Sequence, residues 1–530
     1  MHSFFEKIKT HLKAARLIDA LLPLTAGMLV SYAAAINEGI TLPLFLALHA
    51  MLFILWLFFL SNNVPAQQVL ITTRIAFSPF CILLLLLPYN FFYIQNLGTS
   101  TSAILGILFL ASLIFNQILN PTVKSIVQHL LTEKTKISIL LIAYYLLFSV
   151  ISILRHLNFQ DSNSFDMAIC NQIQWNTIHG HFFESSVSGS NFVTHNSFFL
   201  IFISPFYALY PHPITLLILK TLAITLSAIP FYLIIKTYLP KQTAFPLVAG
   251  YLFFPSIVGQ NFNAPHEMCF LPPFLLFSFY FFIKNRFKSF MFFLLLCLTI
   301  KEHVSLVACI YGLYAFFLKR DKKWIILPLI LGIAWGLFSL WIMHHFQQIY
   351  HQDPQPAWLI ENLKHRFLGG EGLQTSVLGN SNSLSYVYLL FSAVGIFLPL
   401  CSPIILLGLP ELVINLMADF PLFYPTWHYT IIVSCFIMIA CVEGIKKLSS
   451  GSVQRQQLLS WGLCICILSH FFLWENYMQL DNHPRRVTAL KKAIDVIPAD
   501  ASASAPPYLG GYVSSRRDYF LLSDKRMGNY

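Results

Sequence analysis

The sequence predicts an all-α polytopic membrane protein of about fifteen transmembrane helices. Composition is the first reason: 57% of residues are hydrophobic, 10% are charged and 50 are Phe, against about 25% charged in an average soluble chain. Apolar run length is the second, because windows near the ~20 residues that cross a ~30 Å hydrocarbon core recur almost to residue 475. Charge placement is the third. A cytoplasmic N-terminus puts loops 1–16, 121–136, 236–241, 284–288, 319–323 and 446–456 inside, and these hold more than half of the 33 Lys and Arg, as the positive-inside rule requires. A membrane β-barrel would instead alternate in segments of about 10 residues.

Taken in order, the expected spans are 17–36, 41–61, 70–95, 102–120, 137–155, 214–237, 243–259, 268–284, 287–300, 303–318, 324–346, 385–401, 403–418, 428–445 and 457–475. Residues 197–211 are apolar but too short to span, and counting them would invert everything downstream; a re-entrant or interfacial helix fits better. Residues 1–130 form an accessory membrane module of about four helices, set apart by the basic connector PTVKSIVQHLLTEKTK. Residues 131–475 form the membrane core with its loop 156–196, and residues 476–530 a small external C-terminal region. In that tail, RRVTALKKAIDVIP reads as a short helix and ASASAPPYLGGYVSSRRDYFLL as strand, loop and strand.

This topology expects a multi-pass protein of the cytoplasmic (inner) membrane, N-terminus cytoplasmic and C-terminus external. The net charge of +11 is then a topology signal, so membrane lipid and not nucleic acid is the expected partner. Most of the 10 cysteines sit inside apolar runs and read as small core residues.

Polar chemistry is sorted to the external side. Loop 156–196 gathers Asp166, Gln172, Trp175, His179, His181, Glu184 and His195, and the later external ends add His266, Glu267, Lys301, Glu302, His303, Lys364, Arg366 and His428. In SNSFDMAICNQIQWN, the spacing of Phe165, Ile169 and Ile173 predicts an amphipathic helix lying on the membrane interface. Asp166 in its first turn either stabilises the positive helix end or acts as a general base on an acceptor hydroxyl. Gln172 and Trp175 could offer a hydrogen bond and a stacking face to a sugar-like ring, and Trp175 equally reads as an interfacial anchor. A charge at mid-membrane costs ~2.5–3.5 kcal/mol or more, so Lys301 and Glu302 are expected either as a mutual ion pair or facing a wet cavity. Lys301, His303, Lys364 and Arg366 could together hold a phosphate or diphosphate leaving group. No metal site and no cofactor is expected: His344, His345, His351 and Asp353 match no zinc spacing, PHEMCF lacks the second histidine of HExxH, and no phosphate-binding or dinucleotide glycine motif is present.

FDMAICNQIQWN, NFVTHNSFFLIFISPFYALYP, FNAPHEMCFLPPFLLFSFYFF, KEHVSL and IPADASASAPPYLGGYVSSRRDYFLL together resemble the bacterial integral-membrane family catalogued as domain of unknown function 2079, over roughly residues 137–525. That family is similar in layout to the C-type (GT-C) membrane glycosyltransferases. The resemblance implies a GT-C-like helical bundle, a polyprenyl-phosphate-linked sugar as donor, an unidentified acceptor, and Asp166 at the position of the catalytic acid. His195, Glu267 and Lys301 fall on later motifs for which the resemblance implies a place but no role. Asn171 and His303 stand where acids are expected, which weakens any mechanism needing a metal held by paired carboxylates. The expected function is therefore lipid-linked glycosyl transfer on the external face, with His195 and Trp175 as sugar contacts. A lipid or polar-solute transporter using Lys301, Glu302 and Lys220, or a structural membrane protein, remains the alternative.

Overall fold

A computed structural model describes residues 132–161, 164–351, 381–395, 397–417, 427–469 and 483–522. The four N-terminal spans, Lys364 and Arg366 lie outside the described residues.

The fold is built from apolar helices. Helix α1, Glu133–Leu157, is capped by the Thr132 side chain accepting from the Thr135 N–H and ends where Phe159 turns left-handed at φ 56°. Helix α2, Ser164–Ile178, follows, then the short α3, Leu200–Leu209, whose ten residues reach roughly 15 Å, too short to cross a bilayer. Helix α4, Pro213–Tyr238, is a long span with Pro at its start, where the missing N–H costs nothing.

Helices α5, Ala244–Phe253, and α6, Pro255–Phe262, replace the single span expected over 243–259; they bend by 50° at the break. Pro255 supplies the reason, since it cannot donate into a continuing ladder and pushes the residue before it out of helical geometry; Phe254 accordingly sits at ψ 133°. Helices α7, Leu271–Ile283, α8, Phe287–Leu298, and α9, Val304–Phe317, come next. Each falls short of the ~20 residues of a full span. Helix α10, Lys322–Ile349, is the third long one. Beyond it lie α11, Ser381–Ser392, α12, Leu409–Met417, α13, Ile431–Leu448, α14, Val453–Ser469, and α15, Pro484–Asp495.

Among the described residues, three helices are long and apolar enough to cross a membrane, α1, α4 and α10, or four with the bent α5–α6 pair. The runs expected at 385–401 and 403–418 are interrupted: Gly395 at φ 70° breaks the first, and Pro403–Gly408 opens the second as a tight 3-10 turn before α12.

Helix α4 is central and α10 peripheral. The apolar window of α4 is 61% buried and that of α10 only 17%, so Ile330, Ile333, Leu337 and Trp341 present an apolar face outward, as lipid contact requires. Helix α10 packs on α9 backbone to backbone. A Cβ at Gly332 would come within 2.6 Å of the Ser305 carbonyl and one at Gly312 within 2.7 Å of that of Ile325, the close approach that small residues permit between membrane helices.

Helix α2 overturns the expectation of an amphipathic helix on the membrane interface. Ile173, with Ile169 beside it, packs against Phe183, Phe192, Leu200 and the α10 residues Ile342 and Met343. Met167 meets Leu217 and Ala264, and Ala168 meets Ala505, Val513 and Tyr519 from the C-terminal region. Protein covers Ile173 and part of Ile169, while Phe165 is half-buried.

The C-terminal region has the elements its sequence predicts: helix α15 and two short parallel strands, β1, Ala503–Ala505, and β2, Tyr519–Leu521. It is fastened to α2 by its glycines and serines. A Cβ at Gly510 would lie 2.4 Å from the Tyr519 hydroxyl and 2.8 Å from the Ala168 Cβ, and one at Gly511 would lie 2.7 Å from Met167. Arg516, 7% exposed, fixes the connecting loop by donating to the carbonyls of Val513, Pro498 and Ala501 at 2.6, 3.1 and 2.8 Å.

Candidate active site

Breaks between the apolar helices bring the polar residues together. Each break frees a backbone turn from helical geometry and places one or two charged side chains at a helix end, where burial is tolerable only with a partner. The segment after α8 contributes Lys301, Glu302 and His303; the segment before α7 contributes His266 and Glu267; the segment before α3 contributes His195.

The ammonium of Lys301 lies 3.0 Å from Glu267 Oε1, both side chains 4% exposed. The contact is an ion pair without aligned hydrogen-bond geometry, since that carboxylate oxygen has no hydrogen-bond partner. Lys301 Nζ is also 3.4 Å from His266 Nε2, and His266 Nδ1 is 3.2 Å from Glu267 Oε2. Burial and the Lys301 charge push the His266 imidazole well below its usual range, so it is neutral and Nε2 can accept from the ammonium. The expected pairing of Lys301 with Glu302 is therefore corrected. Glu302 points the other way, its two oxygens receiving His195 Nδ1 and the Asn196 N–H, each at 3.2 Å. Burial pushes the Glu302 carboxyl up, but His195, Lys301 and His303 outweigh it and hold it well below the usual carboxylate range.

Glu411, not singled out from the sequence, and His428, given no role there, join the cluster. Glu411, 3% exposed, accepts the Val433 N–H at 2.7 Å through Oε2 and keeps Oε1 3.9 Å from His303. His428 stacks on His266 with ring centroids 3.8 Å apart and meets the Tyr429 ring at a tilt with centroids 4.0 Å apart, and its buried Nε2 has no hydrogen-bond partner. A lone acid in the apolar run LGLPELVINL was the available signal for Glu411.

Asp166 is half-buried on α2. Burial pushes the Tyr429 phenol up; Lys301 pulls it down, and Asp166 and Glu267 push it up again. Cys170 feels the same three charges after its own burial. A carboxylate on α2, the Glu267 carboxylate and the Lys301 ammonium thus act on one space, beside which the Lys301 Nζ stands 6.0 Å above the Tyr429 ring.

Other polar residues of the loop have partners of their own. Gln172 is fully buried, its NH2 donating to Ser186 Oγ at 2.7 Å and to the Arg517 carbonyl at 3.0 Å, while its oxygen receives Ser185 Oγ and the Ser186 N–H. That leaves the amide no free end for a ligand; it ties the C-terminal region to the loop. Trp175 stacks on His179 at 3.9 Å. Asn171, at the position where an acid was expected, accepts the Tyr207 hydroxyl at 2.6 Å and donates to Ser514 and Ser515. A second buried group, next to α1, pairs His156 with Asp161 at 2.6 Å under the stacked ring of Tyr512. It adjoins a small pocket lined by Arg155, Lys220 and Asn261.

One set of residues has metal-ligand chemistry. His195, His266 and Glu267 each offer a ligand atom, all within 4.8 Å of one another.

The family described as "Predicted membrane protein (DUF2079)" matches residues 155–527. The chain belongs to this family. The match takes in the Lys301 cluster, α2 and the C-terminal region. No curated protein matches the chain.

Proposed function

We propose that this DUF2079 protein is a lipid-linked glycosyltransferase, moving a sugar from a polyprenyl-phosphate donor to an acceptor at the external face of the cytoplasmic membrane. In this reading Asp166 takes the proton from the acceptor hydroxyl as that oxygen bonds to the anomeric carbon. The bond from that carbon to the phosphate oxygen breaks, and the electron pair leaves with the phosphate. Lys301 stabilises the departing anion, the kind of task for which a positioned cation suffices. Lys364 and Arg366 are its assistants in the same reading, and His195 and Trp175 the sugar contacts.

The reading rests on a half-buried carboxylate on α2, Asp166, and the buried Lys301 ammonium at a helix break, whose charges both bear on Tyr429 and Cys170.

The test is transfer from synthetic polyprenyl-phosphate sugars by purified Asp166→Asn. General-base removal lowers the rate by about 10²–10⁴-fold; undiminished transfer by the folded variant eliminates the role.

A transporter reading draws on one observation. The bent α5–α6 pair ends at Asn263, whose backbone carbonyl accepts from the fully buried Lys220 of α4, a broken helix beside an intramembrane charge. Solute flux in vesicles that survives Asp166→Asn but is lost in Lys220→Met favours this reading over transfer.

A further inference from the structure

The triad of His195, His266 and Glu267 has the donor set of a two-histidine, one-carboxylate zinc site, its ligand atoms all within 4.8 Å of one another. Its occupant points elsewhere. Lys301 Nζ is already against two members, 3.0 Å from Glu267 Oε1 and 3.4 Å from His266 Nε2.

A divalent ion entering beside this ammonium would meet two donors already engaged by Lys301 and a like charge a few ångströms away in a poorly solvated space, where repulsion is severe. Lys301 cannot easily withdraw. Its side chain is 4% exposed, the ring of Tyr429 lies beneath it, and leaving would strand the Glu267 carboxylate, also 4% exposed, without a counter-charge.

We propose that Lys301 is the resident cation of the His195, His266 and Glu267 triad, standing where a divalent metal would otherwise sit, so that this centre handles an anionic group with a tethered ammonium. An ammonium has three donors; His266 takes one of them. The Glu267 contact is a charge contact without aligned hydrogen-bond geometry. The proposal extends the role given to Lys301 under the transfer reading but does not depend on it, because its test involves no sugar donor.

The test is zinc binding by the purified full chain, measured by equilibrium dialysis with metal analysis. The native chain is expected to bind zinc at background level. Lys301→Met, which keeps the side-chain length and removes the charge, is expected to bind one zinc with affinity at least about 100-fold higher. His266→Ala in that background returns binding to the native level. A native chain that binds one zinc through His266 overturns the proposal, as does a folded Lys301→Met chain that binds no better than native. If Lys301→Met does not fold in chelator, its recovery as monodisperse protein is scored instead. Rescue by zinc and not by magnesium supports the proposal, and failure of zinc to rescue overturns it.

Discussion

Glu267 and Lys301 form a buried ion pair, and a double-mutant cycle measures what they do. Both side chains are 4% exposed and 3.0 Å apart. Removing one partner of such a pair leaves the other buried and uncompensated, at a cost of about 3–5 kcal/mol, whereas replacing both by neutral side chains of similar volume is close to neutral. Glu267→Gln keeps a polar group beside the ammonium and is expected to fall near the lower bound, about 3 kcal/mol; Lys301→Met strands a carboxylate and falls higher. The double variant should recover at least about 2 kcal/mol relative to the sum of the singles. Cys269, Cys297, Cys435, Cys441 and Cys464 are free and buried, so a thiol-reactive fluorophore reports unfolding in a denaturant series. Chelator is present throughout so that zinc cannot substitute for the lysine. Singles within about 0.5 kcal/mol of native, or a strictly additive double variant, would refute the idea that these charges compensate each other in a water-poor space.

Gly510→Ala would force a Cβ to 2.4 Å from the Tyr519 hydroxyl and 2.8 Å from Ala168, an overpacking cost of about 1–3 kcal/mol. Limited proteolysis should then cut the C-terminal region faster than in the native chain, and unchanged cleavage argues that the region is not held through this contact. The depressed carboxyl of Glu302 gives a signed pH dependence: its folded value lies below the unfolded one, which is about 4.3 for a Glu side chain. Its contribution is therefore complete above that pH and is lost as the pH falls toward the folded value. The stability gap between native and Glu302→Gln, followed by the same thiol probe at unchanging ionic strength, should narrow on acidification below about pH 4.3. A gap that widens or stays constant contradicts the assigned direction.

Local signals in the sequence determined a good deal. Long apolar windows marked 214–237 and 324–346, seen as Pro213–Tyr238 and Lys322–Ile349. The shortness of 197–211 ruled out a span there, and Leu200–Leu209 is the ten-residue helix observed. The elements of the C-terminal region and the gathering of polar groups at helix ends were also legible. These properties depend on composition along a few turns of chain, which the sequence carries directly.

Partner choice did not follow from the sequence. Lys301 stands beside Glu302 in the chain, yet it pairs with Glu267, because successive residues at a helix break point in different directions and the folded neighbours select which charge each one meets. Gln172 reads as a ligand contact until its amide is seen bonded on both ends. The apolar stripe of Ser164–Ile178 was visible, but lipid tails and a neighbouring helix are equally apolar, so the same periodicity serves either. Only the tertiary arrangement, which lays Ile342 and Met343 over that stripe and the glycines of the C-terminal region against Met167 and Ala168, decided that protein covers Ile173 and part of Ile169.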